Sequence, residues 1–75
     1  MKPTIVLDAT PLGLLTQRRG IARADTCRSW LASLRATGYR VMVPEIADYE
    51  VRRELLRARK AAGVERLDAF LAAQP

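Results

Sequence analysis

Residues 4–8, Thr-Ile-Val-Leu-Asp, and residues 41–45, Val-Met-Val-Pro-Glu, are the two stretches that decide the fold of this 75-residue chain. Each begins with a short apolar run without polar alternation, a pattern typical of a strand that is buried on both faces of a parallel sheet. The first run ends at Asp8, and the second is closed by Pro44, which has no N–H to donate to a sheet. We therefore expect two buried strands.

The segment between the two strands is predicted to be helical, with one basic loop. Pro11, a favoured residue in the first turn of a helix, indicates a short helix or turn. Residues 17–23 contain three arginines without periodicity and are interpreted as a basic loop. From about Ala24 a longer helix is predicted, ending at a left-handed cap at Gly38. Its expected core face has the spacing i, i+3, i+4 and i+7 and consists of Cys27, Trp30, Leu31 and Leu34.

The segment after the second strand predicts a long helix and a short one. The long helix should run from Glu45 to about Ala62, with acidic residues in its first turns and basic residues in its last, which matches the helix dipole. Its main apolar stripe includes Ala58 and Ala62, and a second packed surface is expected around Ile46, Tyr49 and Leu56. Gly63 is expected to separate it from a final helix that contains Val64, Leu67, Phe70 and Leu71.

The predicted order is therefore β-α-α-β-α-α, a single α/β domain over residues 1–75. Two buried strands joined by a helical crossover should be parallel neighbours with a right-handed connection. Two strands make a poor sheet, and a domain of this size buries only about 60% of the surface of its unfolded chain. We therefore expect a complementing chain or a homo-oligomer to complete the core.

The composition excludes several chemistries. The chain has no histidine and one cysteine, which excludes Ser-His triads, mixed Cys/His zinc sites and CxxC motifs. Its four glycines are too widely spaced for a phosphate-binding loop. Thirteen Lys and Arg against eight Asp and Glu favour a polyanionic partner such as nucleic acid, with a solvated basic surface as the equal alternative. The functional groups that remain are carboxylates, hydroxyls and arginines, and they most readily support metal-assisted chemistry through the carboxylates.

The chain carries neither a convincing targeting segment nor an apolar run long enough to span a membrane. Together with the unpaired cysteine, this predicts a cytoplasmic protein with no membrane partner.

Acidic side chains follow both predicted strands. Because functional clefts in parallel sheets lie beyond the carboxyl ends of the strands, Asp8 should converge with Glu45 and Glu50. Such carboxylates suit Mg²⁺ or Mn²⁺, which would orient a water and offset charge on a cleaved phosphodiester. Structural roles are the alternatives: Asp8 and Thr10 as capping groups, Glu45 at the helix dipole, and Glu50 in an ion pair with Arg53.

Residues 5–12, Ile-Val-Leu-Asp-Ala-Thr-Pro-Leu, resemble the opening of PIN domains, in which a buried strand leads to an Asp followed two positions later by Ser, Thr or Asn. Residues 43–55 resemble the second block of that family, where a strand leads to a helix with an acidic residue before an apolar one. The two blocks occur in the family's order. The resemblance covers essentially the whole chain but only the N-terminal half of a PIN domain, and the family's later acidic positions are absent.

This resemblance implies a three-layer α/β/α fold on a parallel sheet and a metal-dependent endoribonuclease, as in the VapC-type toxins of toxin–antitoxin pairs. It assigns the first metal-binding and catalytic acid to Asp8, the second to Glu50, and the neighbouring hydroxyl to Thr10. Arg18, Arg19 and Arg23 are the expected contacts to the RNA backbone. Mg²⁺ or Mn²⁺ is the implied cofactor, and an antitoxin protein is a possible partner.

Three functions follow as hypotheses. The first is RNA cleavage with Asp8 and Glu50, expected to be weak because two acids hold a metal loosely. The second is a non-catalytic PIN remnant that acts as a protein-interaction or dimerisation module. The third is a general basic nucleic-acid binder whose affinity falls with salt and is indifferent to metal.

Overall fold

The computed structural model describes residues 3–74, which form a mixed α/β arrangement that is mostly helical. The elements follow the predicted order β-α-α-β-α-α. They are β1 (Thr4–Val6), α1 (Ala9–Leu15), α2 (Ala22–Ala36), β2 (Arg40–Met42), α3 (Glu45–Arg57) and α4 (Ala61–Ala72). None of the helices in this part of the chain has the length and apolar character that a bilayer crossing requires.

The two strands are parallel neighbours, as predicted. Ile5 lies opposite Val41 in the register, and the Leu7 N–H extends the ladder by donating to the Met42 carbonyl at 2.9 Å. At the other end the Arg40 N–H donates to the Pro3 carbonyl at 2.8 Å. Because the strands are parallel, the helices that follow them, α1 and α3, begin at the same edge of the sheet.

The sheet is covered on one face. Ile5, Leu7 and Val41 pack against side chains of α1 and α2. On the opposite face, Val6 and its register partner Met42 are each 50% exposed. The prediction that both strands are buried on both faces is therefore wrong for residues 3–74, because the described helices supply core side chains to one face of the sheet.

Two hydrophobic clusters meet around α1. The first joins the sheet to α1 and α2 through Leu7, Leu15, Cys27, Leu31 and Val41. The second joins α1 to α3 and α4 through Leu12, Ala47, Val51 and Leu67. Val43 and Phe70 pack against both clusters. Leu12 of α1 and Leu67 of α4 have no exposed surface, so these two side chains are fully buried within the helical layer.

Trp30 does not belong to the core. The buried residues of α2 are Ala24, Cys27 and Leu31, whereas Trp30 is 45% exposed. The prediction that Trp30 forms part of the core is wrong because the buried stripe is centred near Cys27 and Leu31, which leaves Trp30 at its margin. The predicted left-handed cap is confirmed: Gly38 has φ +95°.

The long helix predicted from Glu45 to Ala62 is interrupted. α3 ends at Arg57, Arg59 adopts a left-handed φ of 57°, and the Lys60 N–H donates to the Leu55 carbonyl at 2.9 Å. α4 then begins at Ala61 and contains Gly63, so the prediction that Gly63 separates the two helices is also wrong. The reason is packing, since α4 folds back on α3 and buries Gly63 against Leu55.

The second packed surface predicted for α3 is not packed against any part of residues 3–74. Ile46 is 62% exposed, Tyr49 59% and Leu56 61%. The contacts of α3 with α1 and α4 use its opposite side, which carries Ala47 and Val51.

Candidate functional site

Two strand-to-helix junctions lie side by side at the carboxyl edge of the sheet. Asp8 is the N-cap residue of α1, two residues after β1, and its carbonyl accepts the Leu12 N–H at 3.1 Å. Pro44 is the N-cap residue of α3, two residues after β2, and its carbonyl accepts the Ala47 N–H at 3.0 Å. The parallel pairing of the strands therefore places the first turns of both helices next to one another.

A small pocket of about 300 Å³ lies between these junctions. Asp8 and Thr10 line it from the start of α1, and Glu50 lines it from the second turn of α3. The remaining lining residues are Ala9, Pro44, Ile46 and Ala47. The structure thus brings Asp8, Thr10 and Glu50 to one pocket. Glu45 is exposed and lies outside the lining of this pocket.

The structural alternatives for the two acids are not realised in residues 3–74. Asp8 occupies the N-cap position, but its side chain makes no capping hydrogen bond. Glu50 forms no ion pair with Arg53 in this part of the chain, where the ion pairs within α3 join Arg52 to Asp48 and Arg57 to Glu54. Both acids are exposed to solvent. Their oxygens are therefore available to a ligand.

A larger open groove of about 1100 Å³ adjoins the pocket. Ala9, Thr10 and Glu50 line both, so the two are continuous. Five basic residues line the groove, namely Arg18, Arg23, Arg59, Lys60 and Arg66. All five are exposed, which leaves their charges accessible to a polyanion.

The loop between α1 and α2 is held by a set of polar contacts. The Gly20 N–H donates to Asp25 Oδ2 at 3.0 Å, and Arg28 binds both Asp25 Oδ1, at 2.7 Å, and the Gln17 carbonyl. From α4, Arg66 Nη1 donates to the Thr16 carbonyl at 3.0 Å. The loop that carries Arg18 and Arg19 is therefore tied to both α2 and α4.

The arginines predicted from the sequence divide into two groups. Arg18, in the loop between α1 and α2, and Arg23, which lies in the first turn of α2 and not in the predicted loop, line the groove, whereas Arg19, next to Arg18 in the loop, does not. Arg59, Lys60 and Arg66 were not among the predicted substrate contacts. They line the groove because the chain turns after Arg57 and α4 folds back on α3. The sequence of residues 57–62 contains no proline or glycine that would have predicted this interruption of the helix.

Ion pairs fix the helices that border the groove. Arg52 Nη2 lies 3.1 Å from Asp48 Oδ1 and 2.8 Å from Asp68 Oδ1, which links α3 to α4. The hydrogen bond to Asp68 raises the pKa of the Arg52 guanidinium. At the end of α3, the hydrogen bond from Arg57 lowers the pKa of the Glu54 carboxyl. Arg52 is therefore committed to a structural contact and is not a free cation for a ligand.

The donor set at the pocket fits a hard divalent cation loosely. Mg²⁺ usually binds one or two protein carboxylates together with waters and substrate phosphate oxygens, and Asp8 and Glu50 provide two unengaged carboxylates. Within residues 3–74, no group of three or more His, Cys, Asp or Glu side chains is arranged to hold a metal ion. A metal at this pocket would therefore depend on substrate phosphate and water for most of its ligands.

Comparisons of the chain with protein-family models, with curated proteins and with solved structures found no match.

Proposed function

We propose that this chain is a PIN-type nucleic-acid-binding protein that positions a phosphodiester of RNA at the pocket of Asp8 and Glu50 for metal-dependent cleavage. The observation that carries the proposal is that Thr10 and Glu50 line both the acidic pocket and the basic groove. An RNA backbone bound to the arginines of the groove would therefore reach the two carboxylates. The PIN-like residues 5–12 and 43–55 supply the same three residues, Asp8, Thr10 and Glu50, that the pocket brings together.

In this mechanism Asp8 and Glu50 would hold Mg²⁺ or Mn²⁺. When bound, such an ion activates a water and stabilises charge on the phosphate. The five basic residues that line the groove bind the RNA backbone, namely Arg18, Arg23, Arg59, Lys60 and Arg66. Thr10, exposed in the first turn of α1, donates its hydroxyl to a phosphate oxygen. With two acids in the pocket, we expect slow turnover.

The test is cleavage of a labelled single-stranded RNA by the purified chain in Mg²⁺ or Mn²⁺, with EDTA as the metal-free arm. Asp8→Asn and Glu50→Gln should each lower the rate at least about tenfold, because each removes one of two charged ligands. Glu45→Gln is the matched control, since Glu45 is an exposed acid near the same edge that does not line the pocket. Cleavage that persists in EDTA and in both variants would overturn the proposal.

RNA binding that is insensitive to metal, with no cleavage in any arm, would instead indicate a general basic nucleic-acid binder.

A second candidate function is a protein-interaction module of the same ancestry, with an antitoxin-like protein or a complementing chain as its partner. The half-exposed pair Val6 and Met42 favours it, because an uncovered apolar sheet face is a surface on which another layer can pack. This function predicts neither RNA binding nor cleavage. If the chain has this function, Asp8→Asn and Glu50→Gln should give the same result as the parent chain in every RNA assay.

A further inference from the structure

The loop that joins α1 to α2 carries Arg18, one of the basic residues that line the groove. It lies between Leu15, the last residue of α1, and Ala22, the first residue of α2. Within residues 3–74, the N–H groups of residues 18–21 donate to no backbone carbonyl. Because no helix or sheet pairing holds this part of the backbone, its conformation depends on contacts from side chains.

A carboxylate and a guanidinium of α2 supply such contacts on both sides of Arg18. Asp25, in the first turn of α2, accepts the Gly20 N–H at 3.0 Å through Oδ2 and Arg28 Nη1 at 2.7 Å through Oδ1. Arg28 also donates from Nη2 to the carbonyl of Gln17. The loop backbone is therefore held to α2 just before Arg18 and two residues after it.

The pair of Asp25 and Arg28 differs from an ordinary ion pair on a helix surface. Pairs three residues apart usually join one helix to itself and contribute little to stability. Here each partner also binds the backbone of a neighbouring loop. Neither residue lines the groove or the pocket of Asp8 and Glu50. The pair can therefore influence a ligand in the groove only through the position of the loop.

The start of the loop is held separately. Thr16 is 3% exposed, and its Oγ1 donates to the Gly13 carbonyl at 2.7 Å. The Thr16 carbonyl accepts Arg66 Nη1, from α4, at 3.0 Å. These contacts do not involve Asp25 or Arg28. Loss of the pair should therefore release the part of the loop around the groove and leave the end of α1 in place.

We propose that Asp25 and Arg28 are positioning residues for RNA, which hold the loop backbone so that Arg18 lies in the groove before RNA binds. This inference rests on the RNA binding proposed above. When the loop is already ordered, Arg18 binds a phosphate without a further loss of backbone conformational entropy, because folding has already incurred that loss. The pair itself does not contact the RNA.

Asp25→Ala tests the proposal because charge and positioning predict opposite results. Loss of an acid makes the chain more positive, so electrostatics alone predicts tighter RNA binding. Loss of the loop contacts predicts weaker binding, and we expect the dissociation constant to rise about three- to tenfold. Fluorescence anisotropy of a labelled single-stranded RNA, without divalent ions, measures it. A dissociation constant that is unchanged or lower overturns the proposal.

Glu65→Ala is the matched control. Glu65 is an exposed acid early in α4 that lines neither cavity and forms no ion pair within residues 3–74. Its replacement removes the same charge without removing a loop contact, so RNA binding should be unchanged or tighter. If Glu65→Ala weakens binding as much as Asp25→Ala does, the effect does not come from the loop, and the positioning role is overturned.

A double variant separates positioning from a general loss of stability. In the background of Arg18→Gln, Asp25→Ala should change the dissociation constant by less than about twofold, because the loop then carries no Arg18 to position. An equal loss of affinity with and without Arg18 would indicate that Asp25→Ala weakens the fold as a whole. That result overturns the positioning role.

Backbone amide relaxation, measured by NMR on the chain without RNA, tests the loop contacts directly. The amides of residues 18–20 should have order parameters near about 0.85 in the parent and below about 0.6 in Asp25→Ala. Unchanged values for α2 verify that the variant is folded. Loop amides that stay rigid in Asp25→Ala overturn the proposal. A parent chain that binds no RNA overturns the proposed function as well, whereas RNA binding that is equal in the parent and Asp25→Ala overturns the positioning role alone.

Discussion

Gly63, in the first turn of α4, lies so close to Leu55 of α3 that a Cβ placed on the glycine would be 2.7 Å from Leu55 Cδ2. The turn between the two helices passes through the left-handed Arg59. The close contact between Gly63 and Leu55 lets α4 fold back on α3. As a result, Arg59, Lys60 and Arg66 line the basic groove. The contact of Gly63 with Leu55 therefore links helix packing to the shape of the candidate site.

Substitutions at Gly63 should distinguish the contribution of helix propensity to stability from the contribution of packing against Leu55. Gly63→Ala should change the free energy of unfolding by less than about 1 kcal/mol, because the gain in helix propensity is offset by displacement of the half-buried Leu55 side chain. Gly63→Val should cost about 1–3 kcal/mol, as for other overpacked sites. Urea unfolding followed by circular dichroism measures both.

Gly13 provides the control for this prediction. It lies within α1 with no atom inside 4 Å of the position of an added Cβ, so Gly13→Ala should gain up to about 1 kcal/mol. A gain in stability from Gly63→Ala as large as that from Gly13→Ala would contradict the packing role of Gly63.

Local patterns predicted the elements that depend on neighbouring residues. The order of the six elements, the parallel strands and the cap at Gly38 follow from apolar runs, a crossover length and one glycine. The shared pocket of Asp8 and Glu50 follows from the same parallel pairing, because both strands lead into helices at one edge.

Features that depend on distant contacts were not predictable from those patterns. Residues 57–62 have good helix propensity, yet α3 ends at Arg57 and α4 begins at Ala61, and the contact that accompanies this interruption is the packing of Gly63 on Leu55. The exposure of Trp30 and of Val6 depends on which faces the other elements cover. Helical spacing alone does not determine the centre of a buried stripe to within one residue.

Leu67 of α4 should contribute strongly to the stability of the helical layer. Leu67 has no exposed surface and packs with Leu12, Ala47 and Val51. Leu67→Ala should lower the free energy of unfolding by about 2–5 kcal/mol, which is enough to unfold much of a domain of this size. Met42→Ala is the control, since Met42 is 50% exposed, and it should cost less than about 1 kcal/mol. Thermal unfolding with a similar loss for both variants would contradict the described burial.

The buried thiol of Cys27 should make stability depend on pH in the alkaline range. Burial raises the pKa of the Cys27 thiol above its ordinary value of 9.0, and the charge of Arg28 only partly opposes this. The unfolded chain therefore loses this proton first. The contribution of Cys27 is fully present below about pH 9 and is lost as the pH rises towards the pKa of the folded state.

Urea unfolding under reducing conditions at neutral and alkaline pH measures this contribution. The readout is the difference between the parent chain and Cys27→Ala, which isolates the contribution of the thiol. The parent should lose more stability than the variant as the pH rises. Identical pH profiles would contradict the burial of the thiol, whose Sγ donates to the Pro11 carbonyl at 3.7 Å.

Two adjacent arginines should contribute differently to RNA binding. Arg18 lines the basic groove and Arg19 does not, although both are exposed in the same loop. A phosphate contact releases about one counterion, so Arg18→Gln should reduce the slope of log affinity against log salt by about one unit, and Arg19→Gln should leave it unchanged. Fluorescence anisotropy of a labelled single-stranded RNA, over a salt series without divalent ions, measures both slopes. Equal slopes for the two variants would mean that RNA binding depends on the net charge of the loop and that the RNA does not lie in the groove. The surface that binds RNA would then be separate from the pocket of Asp8 and Glu50.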